Sequence, residues 1–249
     1  LGGFFMAVIA LCVLFLLAMS TYQVLLMLQY RRLRGPDPEP VDRYEEADLP
    51  RVTVQLPVYN EGQLAERILR HAAALDYPRD RLQIQFLNDS TEPETTRIAL
   101  ETIAALRHEQ PDLEITYHHR DSREGFKAGA LLNGAADARG EFHAIFDADF
   151  LIPPDYLRRT VHYFKDPHVA LVQARWDYTN RNSTLLTRLQ AVKLDSHQMF
   201  EQTARARSSL PVIFHGTAGV WRAAAIDQVG GWDCFSEVED VEVSVRSLT

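Results

Sequence analysis

The segment "EFHAIFDADF", residues 141–150, decides the fold. Phe142, Ala144, Ile145 and Phe146 form an apolar run that reads as a buried strand, and it leads straight into Asp147 and Asp149. Carboxylates are costly to bury, so a strand that ends in two of them is expected to end at a binding surface. Residues two apart in an extended chain point to the same side, so the two aspartates converge if the strand conformation persists. Two unpaired carboxylates at one point would repel. A divalent cation removes that repulsion, and Mg2+ is typically held by one or two carboxylates together with substrate phosphates and water. The competing reading is a pair of capping aspartates ahead of a helix in "FLIPPDYL".

Outward from this strand, short apolar strands alternate with helical patterns. "RVTVQLPVY" (51–59) reads as a strand, after which Asn60 is expected to cap a helix with Leu64, Ile68, Leu69, Ala72 and Leu75 on one face. "LQIQFLN" is a second strand, and "TEPE" (91–94) has the form of a capping box opening a second helix. "LEITYHH" and "VALVQAR" supply further strands, with helices from about Gly125 to Ala138 and from Asp155 to Phe164. Such alternation means an α/β layer with a mostly parallel sheet. Ligands in these sheets bind at the carboxyl ends of the strands. Three strands end in Asn60–Glu61, Asn88–Asp89 and Asp147–Asp149, so polar residues collect at one edge.

Composition sets limits on partners. The chain has 249 residues, 46% hydrophobic and 24% charged, as in ordinary globular proteins. A net charge of −8 argues against a nucleic-acid partner. Cys12 and Cys234 form no disulfide framework and no thiolate metal site, and His118 and His119 have no second pair at zinc spacing. Leu1 to Tyr30 contains no charged residue, long enough to cross a bilayer core that needs roughly 20 apolar residues. "RRLR" (31–34) follows it, which places that end on the cytoplasmic side. A cleaved signal peptide would carry its basic residues before the apolar run and a small-residue site after it. The expected organisation is a transmembrane helix (1–30), a Pro- and acid-rich cytoplasmic linker (31–50) and a catalytic domain (51–249). The opening on Leu1 and the close on "SVRSLT" read as those of a fragment.

Further segments carry chemistry. Asp89 could accept the imide N–H of a pyrimidine base, with an Asx turn as the alternative. "REGFKAGALLNGA" (123–135) opens a helix whose first N–H groups, with Lys127, could form an anion site; a surface lysine on an amphipathic helix is the alternative. Gly216 and Gly219 in "FHGTAGVWR" would let a ligand approach the backbone. In "GGWDCFSEVEDVEVSVR" a helix beginning near Glu237 would put Glu239 and Asp240 in its first turn, where the helix dipole favours acids. "LLTRLQAVKLDSHQMF" (185–200) reads as a packed or membrane-surface helix.

In order along the chain, "PVYNE", "NDS", "REGFKAGAL", "FDADF", "VQARW", "FHGTAGVWR" and "GGW…VED" resemble the motifs of family 2 glycosyltransferases of the membrane-bound processive type. The wording is similar to cellulose synthase catalytic subunits and to mannan and glucomannan synthases, over about residues 51–246. The resemblance implies a Rossmann-like GT-A fold with helices on both faces of the sheet. It implies an inverting, Mg2+- or Mn2+-dependent hexosyltransferase that extends a β-glucan or β-mannan from UDP-glucose or GDP-mannose in a plasma or inner membrane. Asp89 then matches the acid at the nucleotide base, with Pro57, Tyr59 and Glu61 lining the pocket and Lys127 in the nucleotide-binding segment. Asp147 and Asp149 match the metal-diphosphate pair, and Asp240 the general base. Gln173, Arg175, Trp176, Gly216, Thr217 and Glu239 fall where the acceptor is expected.

The sequence departs from the family pattern in three places. Asn88 stands where an aspartate is usual, Val238 replaces the threonine of T-E-D, and the sequence stops before a Q-x-x-R-W motif. This fragment is therefore expected to bind donor and transfer poorly. The competing functions are a non-catalytic sugar-nucleotide-binding relative, a transferase with a lipid-linked acceptor, and a nucleotidyltransferase. The last would carry a basic, glycine-rich loop after the first strand, and "PVYNEGQLAER" is not one.

Overall fold

The computed structural model describes residues 2–208, 210, 212–236 and 238–247. The chain forms two compact units, Leu1–Asp37 with Arg175–Val212, and Pro38–Ala174 with Ile213–Thr249.

The first unit is helical. Helix α1 (Gly2–Leu33) exposes its apolar side chains almost throughout, with Leu26 buried. Against its C-terminal part lies a segment of π-helix, Ser196–Gln202, continuing into α7 (Thr203–Arg207). Tyr30 meets Phe200 edge-on at 4.8 Å. Arg207 donates to the carbonyls of Leu33, Gly35 and Pro36, satisfying acceptors that a helix end leaves unpaired. Helix α6 (Leu185–Asp195) starts from a Thr184–Thr187 capping box and leaves Leu185, Leu186, Leu189 and Val192 exposed.

The second unit is a six-stranded sheet in the order β3-β2-β1-β4-β6-β5. Strands β1 (Val52–Val58), β2 (Leu82–Asn88), β3 (Glu114–His119) and β4 (Phe142–Ile145) are parallel. Strand β6 (Gly219–Arg222) pairs antiparallel with β4, and β5 (Leu171–Gln173) antiparallel with β6. Strand β6 lies inside the segment expected as a glycine-containing loop, and β5, expected in a mostly parallel sheet, is an antiparallel edge. The alternating pattern of β1 sorts its faces. Val52, Val54 and Leu56 point one way with Leu82, Ile84 and Phe86 of β2, all buried. Thr53 and Gln55 point the other way with Gln83 and Gln85.

Helices α2 (Gln63–Ala73) and α3 (Pro93–Glu109) connect β1 to β2 and β2 to β3. Helix α4 (Phe126–Ala135) returns from β3 to β4, which reverses the strand order between β1 and β4. Right-handed crossovers put α4 on the face opposite α2 and α3, and the crevice at the reversal is where such sheets bind ligands. Helix α5 (Tyr156–Thr160) and the 3-10 turn Val161–Lys165 follow β4. Helix α8 (Ala223–Gln228) follows β6, and α9 (Glu239–Arg246) comes after a loop. Phe214, Trp221, Trp232, Ile226 and Val243 pack with Leu131 of α4 and Ile145 of β4 into a buried cluster.

Two expected caps differ. Helix α2 starts after Gly62 with no side-chain cap. Asn60 instead accepts from the N–H groups of Thr91 and Glu92, so it ties down the entry to α3. The "TEPE" capping box does not form, because Thr91 Oγ1 accepts from Asn60 Nδ2 and Pro93 opens the helix without an N–H. The helix start expected at Glu237 lies outside the described residues; α9 is helical from Glu239, with Val238 before it making no side-chain cap.

Candidate active site

The crevice between β1 and β4 gathers residues from six parts of the chain. Beyond the end of β1, Tyr59 and Glu61 stand exposed. Pro57 is half-buried, past the last residue of β1 that pairs with β4, where its missing N–H breaks no bond to that strand. β4 stops at Ile145, so the extended conformation expected through Asp149 does not persist. A turn begins at Asp147, where the Phe150 N–H donates to the Asp147 carbonyl at 3.2 Å. The turn still brings both carboxylates near Glu61. Partial desolvation of Glu61 and then the negative charges of Asp149 and Asp147 hold its pKa above the ordinary value.

Lys127 meets this group from the first turn of α4. Its Nζ pairs with Asp147 Oδ1 and donates to the Gly216 carbonyl at 3.0 Å. Gly216 has φ +77°, and a Cβ there would lie 3.5 Å from Asp240 Oδ2 and 3.6 Å from Lys127 Nζ. Glycine is the residue that tolerates that backbone while leaving the approach open. Asp240 Oδ1 accepts the Val241 N–H at 2.8 Å. Burial raises the pKa of Glu239; its own backbone N–H and the nearby Lys127 pull down, while Asp240 and Asp147 push up. Asp147, Lys127, Gly216, Glu239 and Asp240 are therefore neighbours although up to 113 positions separate them.

Thr217 and Gln173, expected on the acceptor side, support the loop instead of standing free, and Ser244 joins them unexpected. Thr217 is buried, and its Oγ1 accepts the Asp147 N–H at 3.1 Å. Ser244 Oγ accepts the Phe214 N–H at 2.9 Å and so ties α9 to the loop before β6. Gln173 donates to the carbonyls of Ala174, Thr217 and Ala218 and accepts from the His215 N–H. Its amide is committed to shaping the Gly216 loop. Single hydroxyl and amide side chains give no periodic signal, and these acquire a role only through distant partners.

At the other end of the crevice Asp89 is 6% exposed, and both of its oxygens take the guanidinium of Arg120. Tyr59 carries the Arg123 guanidinium 3.3 Å from its ring centroid, with Phe126 also beside it. Asn88 donates to Thr96 Oγ1 and Tyr117 Oη, which an aspartate could not do. Trp176 belongs to the helical unit, where its backbone N–H donates to Gln198 Oε1 and its ring meets Tyr178 edge-on. Arg175 is in that unit too, paired with Asp37 at 2.6 Å.

Among the described residues, no three His, Cys, Asp or Glu side chains form a metal cluster. Asp147 is balanced by Lys127, and among the described residues no hydrogen bond or ion pair is made to the Asp149 carboxylate. Two carboxylates suit a hard cation that takes its other ligands from phosphate oxygens and water, rather than one fully caged by protein.

Comparison with known proteins agrees with this arrangement. Residues 50–248 match the family described as "Glycosyltransferase like family 2". The chain is 37% identical over 258 residues to probable glucomannan 4-beta-mannosyltransferase 15 of Arabidopsis thaliana, covering 97% of this chain and 48% of that protein. It is 39% identical over 216 residues to glucomannan 4-beta-mannosyltransferase 2 of the same plant, covering 84% of this chain and 40% of the relative. The chain thus spans less than half the length of these relatives. A solved mannosyltransferase from Pyrobaculum calidifontis, in complex with GDP-Man and Mn2+, superposes with a TM-score of 0.75 at 26% identity, over 96% of this chain and 63% of that one. S. aureus TarS shares the fold, with a TM-score of 0.57 at 15% identity over 79% of this chain and 33% of its own. The GT-A-like α/β fold and the shared motifs agree: this chain is a member of glycosyltransferase family 2.

Proposed function

We propose that residues 51–249 form the donor and catalytic part of an inverting, metal-dependent glycosyltransferase, anchored by residues 1–30 through the linker 31–50. It transfers mannose from GDP-mannose to a β-linked mannan or glucomannan. The convergence of Asp147, Lys127, Gly216 and Asp240 at the β1–β4 crevice carries the reading. GDP-mannose is favoured over UDP-glucose by the relatives' names and by the ligand of the mannosyltransferase from P. calidifontis.

Each residue has a role set by its place. Asp89, Pro57, Tyr59 and Glu61 face the nucleotide, Lys127 the diphosphate, and Asp147 with Asp149 the cation. A bound Mg2+ or Mn2+ would supply positive charge to the departing diphosphate. Asp240 takes the acceptor hydroxyl proton through Oδ2, since Oδ1 is held by the Val241 N–H. The acceptor oxygen bonds to C1 of the sugar, the bond from C1 to phosphate oxygen breaks, and the nucleoside diphosphate leaves with that electron pair. Attack opposite the leaving group turns an α-linked donor into a β-linkage. Gln173, Thr217 and Glu239 shape the acceptor side.

Radiolabelled mannose transfer by the full-length protein with Mn2+ tests this. Asp240→Asn should lower transfer by about 10²-fold or more while GDP binding stays near wild type. Retained transfer would remove Asp240 as the base. Absence of transfer from both GDP-mannose and UDP-glucose, with nucleotide binding intact, would favour the non-catalytic reading.

A further inference from the structure

Arg120, which no sequence motif singled out, follows β3 and sits between the two ends of the donor crevice. Its side chain is 15% exposed, and four of its N–H groups have partners. Nε donates to Asp89 Oδ1 at 2.8 Å, and Nη2 to Asp89 Oδ2. Nη2 also donates to the Phe126 carbonyl at 2.9 Å, and Nη1 to the Glu124 carbonyl at 2.9 Å. Those carbonyls flank Gly125, at φ +69°, and Phe126, at φ +47°. A left-handed phenylalanine is strained and persists only where its surroundings impose it. This turn starts α4, and Lys127 is the next residue. Gly129 leaves room for the guanidinium, since a Cβ there would collide with Arg120 Nη1 and the Glu124 carbonyl.

We infer that Arg120 is a positioning residue that couples the nucleoside end of the donor site, at Asp89, to the diphosphate end, at Lys127. Only a planar fork can take both oxygens of a carboxylate and two backbone carbonyls together; an ammonium group would have to choose. Arg120 makes no approach to the reacting atoms. It acts by holding the Asp89 carboxylate in orientation and the 124–126 turn in its left-handed form, so that Lys127 stands ready beside Asp147. The inference rests on the donor-binding reading above, and its test separates the two.

The experiment uses full-length protein and measures GDP affinity with Mn2+, donor KM, kcat and melting temperature. Arg120→Gln and Arg120→Lys should each weaken GDP binding and raise donor KM by about tenfold or more, with a smaller change in kcat. Arg120→Lys keeps the charge, so it carries the test if Arg120→Gln fails to fold. In a double-mutant cycle with Lys127→Gln, the two losses of GDP affinity should not multiply, because a misplaced lysine has little left to lose. Arg51→Gln, which breaks the Arg51–Glu114 pair at the start of the neighbouring strands, should leave donor KM unchanged. Multiplying losses, or wild-type donor KM in Arg120→Lys, would overturn the coupling role. Wild-type protein that binds neither GDP nor UDP would overturn the donor-site reading and this inference with it.

Discussion

At the scale of residues, the crevice is a collection of acids held in tension. Glu61 and Glu239 both have raised pKa values, led by burial and increased by neighbouring carboxylates. A raised carboxyl pKa means that the folded chain holds more protons than the unfolded one. The stability it contributes is present at low pH and falls as the pH climbs past 4.5 towards the raised value. In metal-free buffer, Glu61→Gln should therefore melt above wild type near pH 7 and close to it near pH 4, and Mn2+ should narrow the gap near pH 7. Differential scanning fluorimetry checks this, and a gap independent of pH would show that the acids do not repel one another. Asp147, Asp149, Lys127 and Asp240 were legible in the sequence because each stands at the end of an apolar run or the start of a helix. Arg120 and Ser244 were not, and Thr217 was expected at the acceptor and not as a support of Asp147, because their partners lie 31, 30 and 70 positions away and no local pattern records them.

At the scale of elements, α4 matters most, since it presents Lys127 to the crevice. Its docking on the sheet is partly polar. Gln55 Nε2 donates to Gln85 Oε1 at 3.0 Å, and Gln85 Nε2 donates to the Gly134 carbonyl at 2.9 Å. Gly134 lets the helix come that close: a Cβ would lie 2.8 Å from Leu87 Cδ2 and 2.9 Å from Gln85 Oε1. Apolar packing tolerates sliding, whereas a buried hydrogen-bonded seam has one register. Gln85→Leu leaves the Gly134 carbonyl and the Gln55 amide without partners and should cost about 1–3 kcal/mol in chemical denaturation. Adding Gln55→Leu should cost less than its own single effect, because the stranded amide is then gone. Strictly additive costs would show that the two glutamines act independently. The first four strands were legible from apolar runs bounded by turn residues. β6 was hidden because "GVWR" is only four residues long and begins with glycine, so its strand character comes from pairing with β4. The caps were misread for a similar reason: Asn60 has a helix start just ahead in sequence and another beside it in space, and it serves the second.

At the scale of the whole molecule, charge and hydrophobicity are divided between the units. Leu1–Asp37 with Arg175–Val212 carries nine arginine and lysine residues against four aspartate and glutamate, in a chain whose net charge is −8. The same unit contains the one described helix long and apolar enough to cross a membrane, Gly2–Leu33, whose most apolar window has no buried residue. A core helix would bury that surface; here the side chains are presented outward, as lipid contact requires. Arg31 and Arg32 close the helix, and basic residues in that position suit an anionic bilayer surface. On the proposed anchor reading, Gly2 to Thr21 would rise about 30 Å at 1.5 Å per residue and put exposed Cys12 near the middle of a hydrocarbon core. Expressed as residues 1–249 with Cys234→Ser, the chain keeps Cys12 as its sole thiol, so a membrane-impermeant maleimide should leave it unlabelled in intact membranes and label it after detergent is added. Equal labelling in both conditions would take α1 out of the bilayer and with it the proposed anchor. It would leave the donor crevice untouched, because Glu61, Asp89, Lys127, Asp147, Asp149, Gly216 and Asp240 all belong to the other unit.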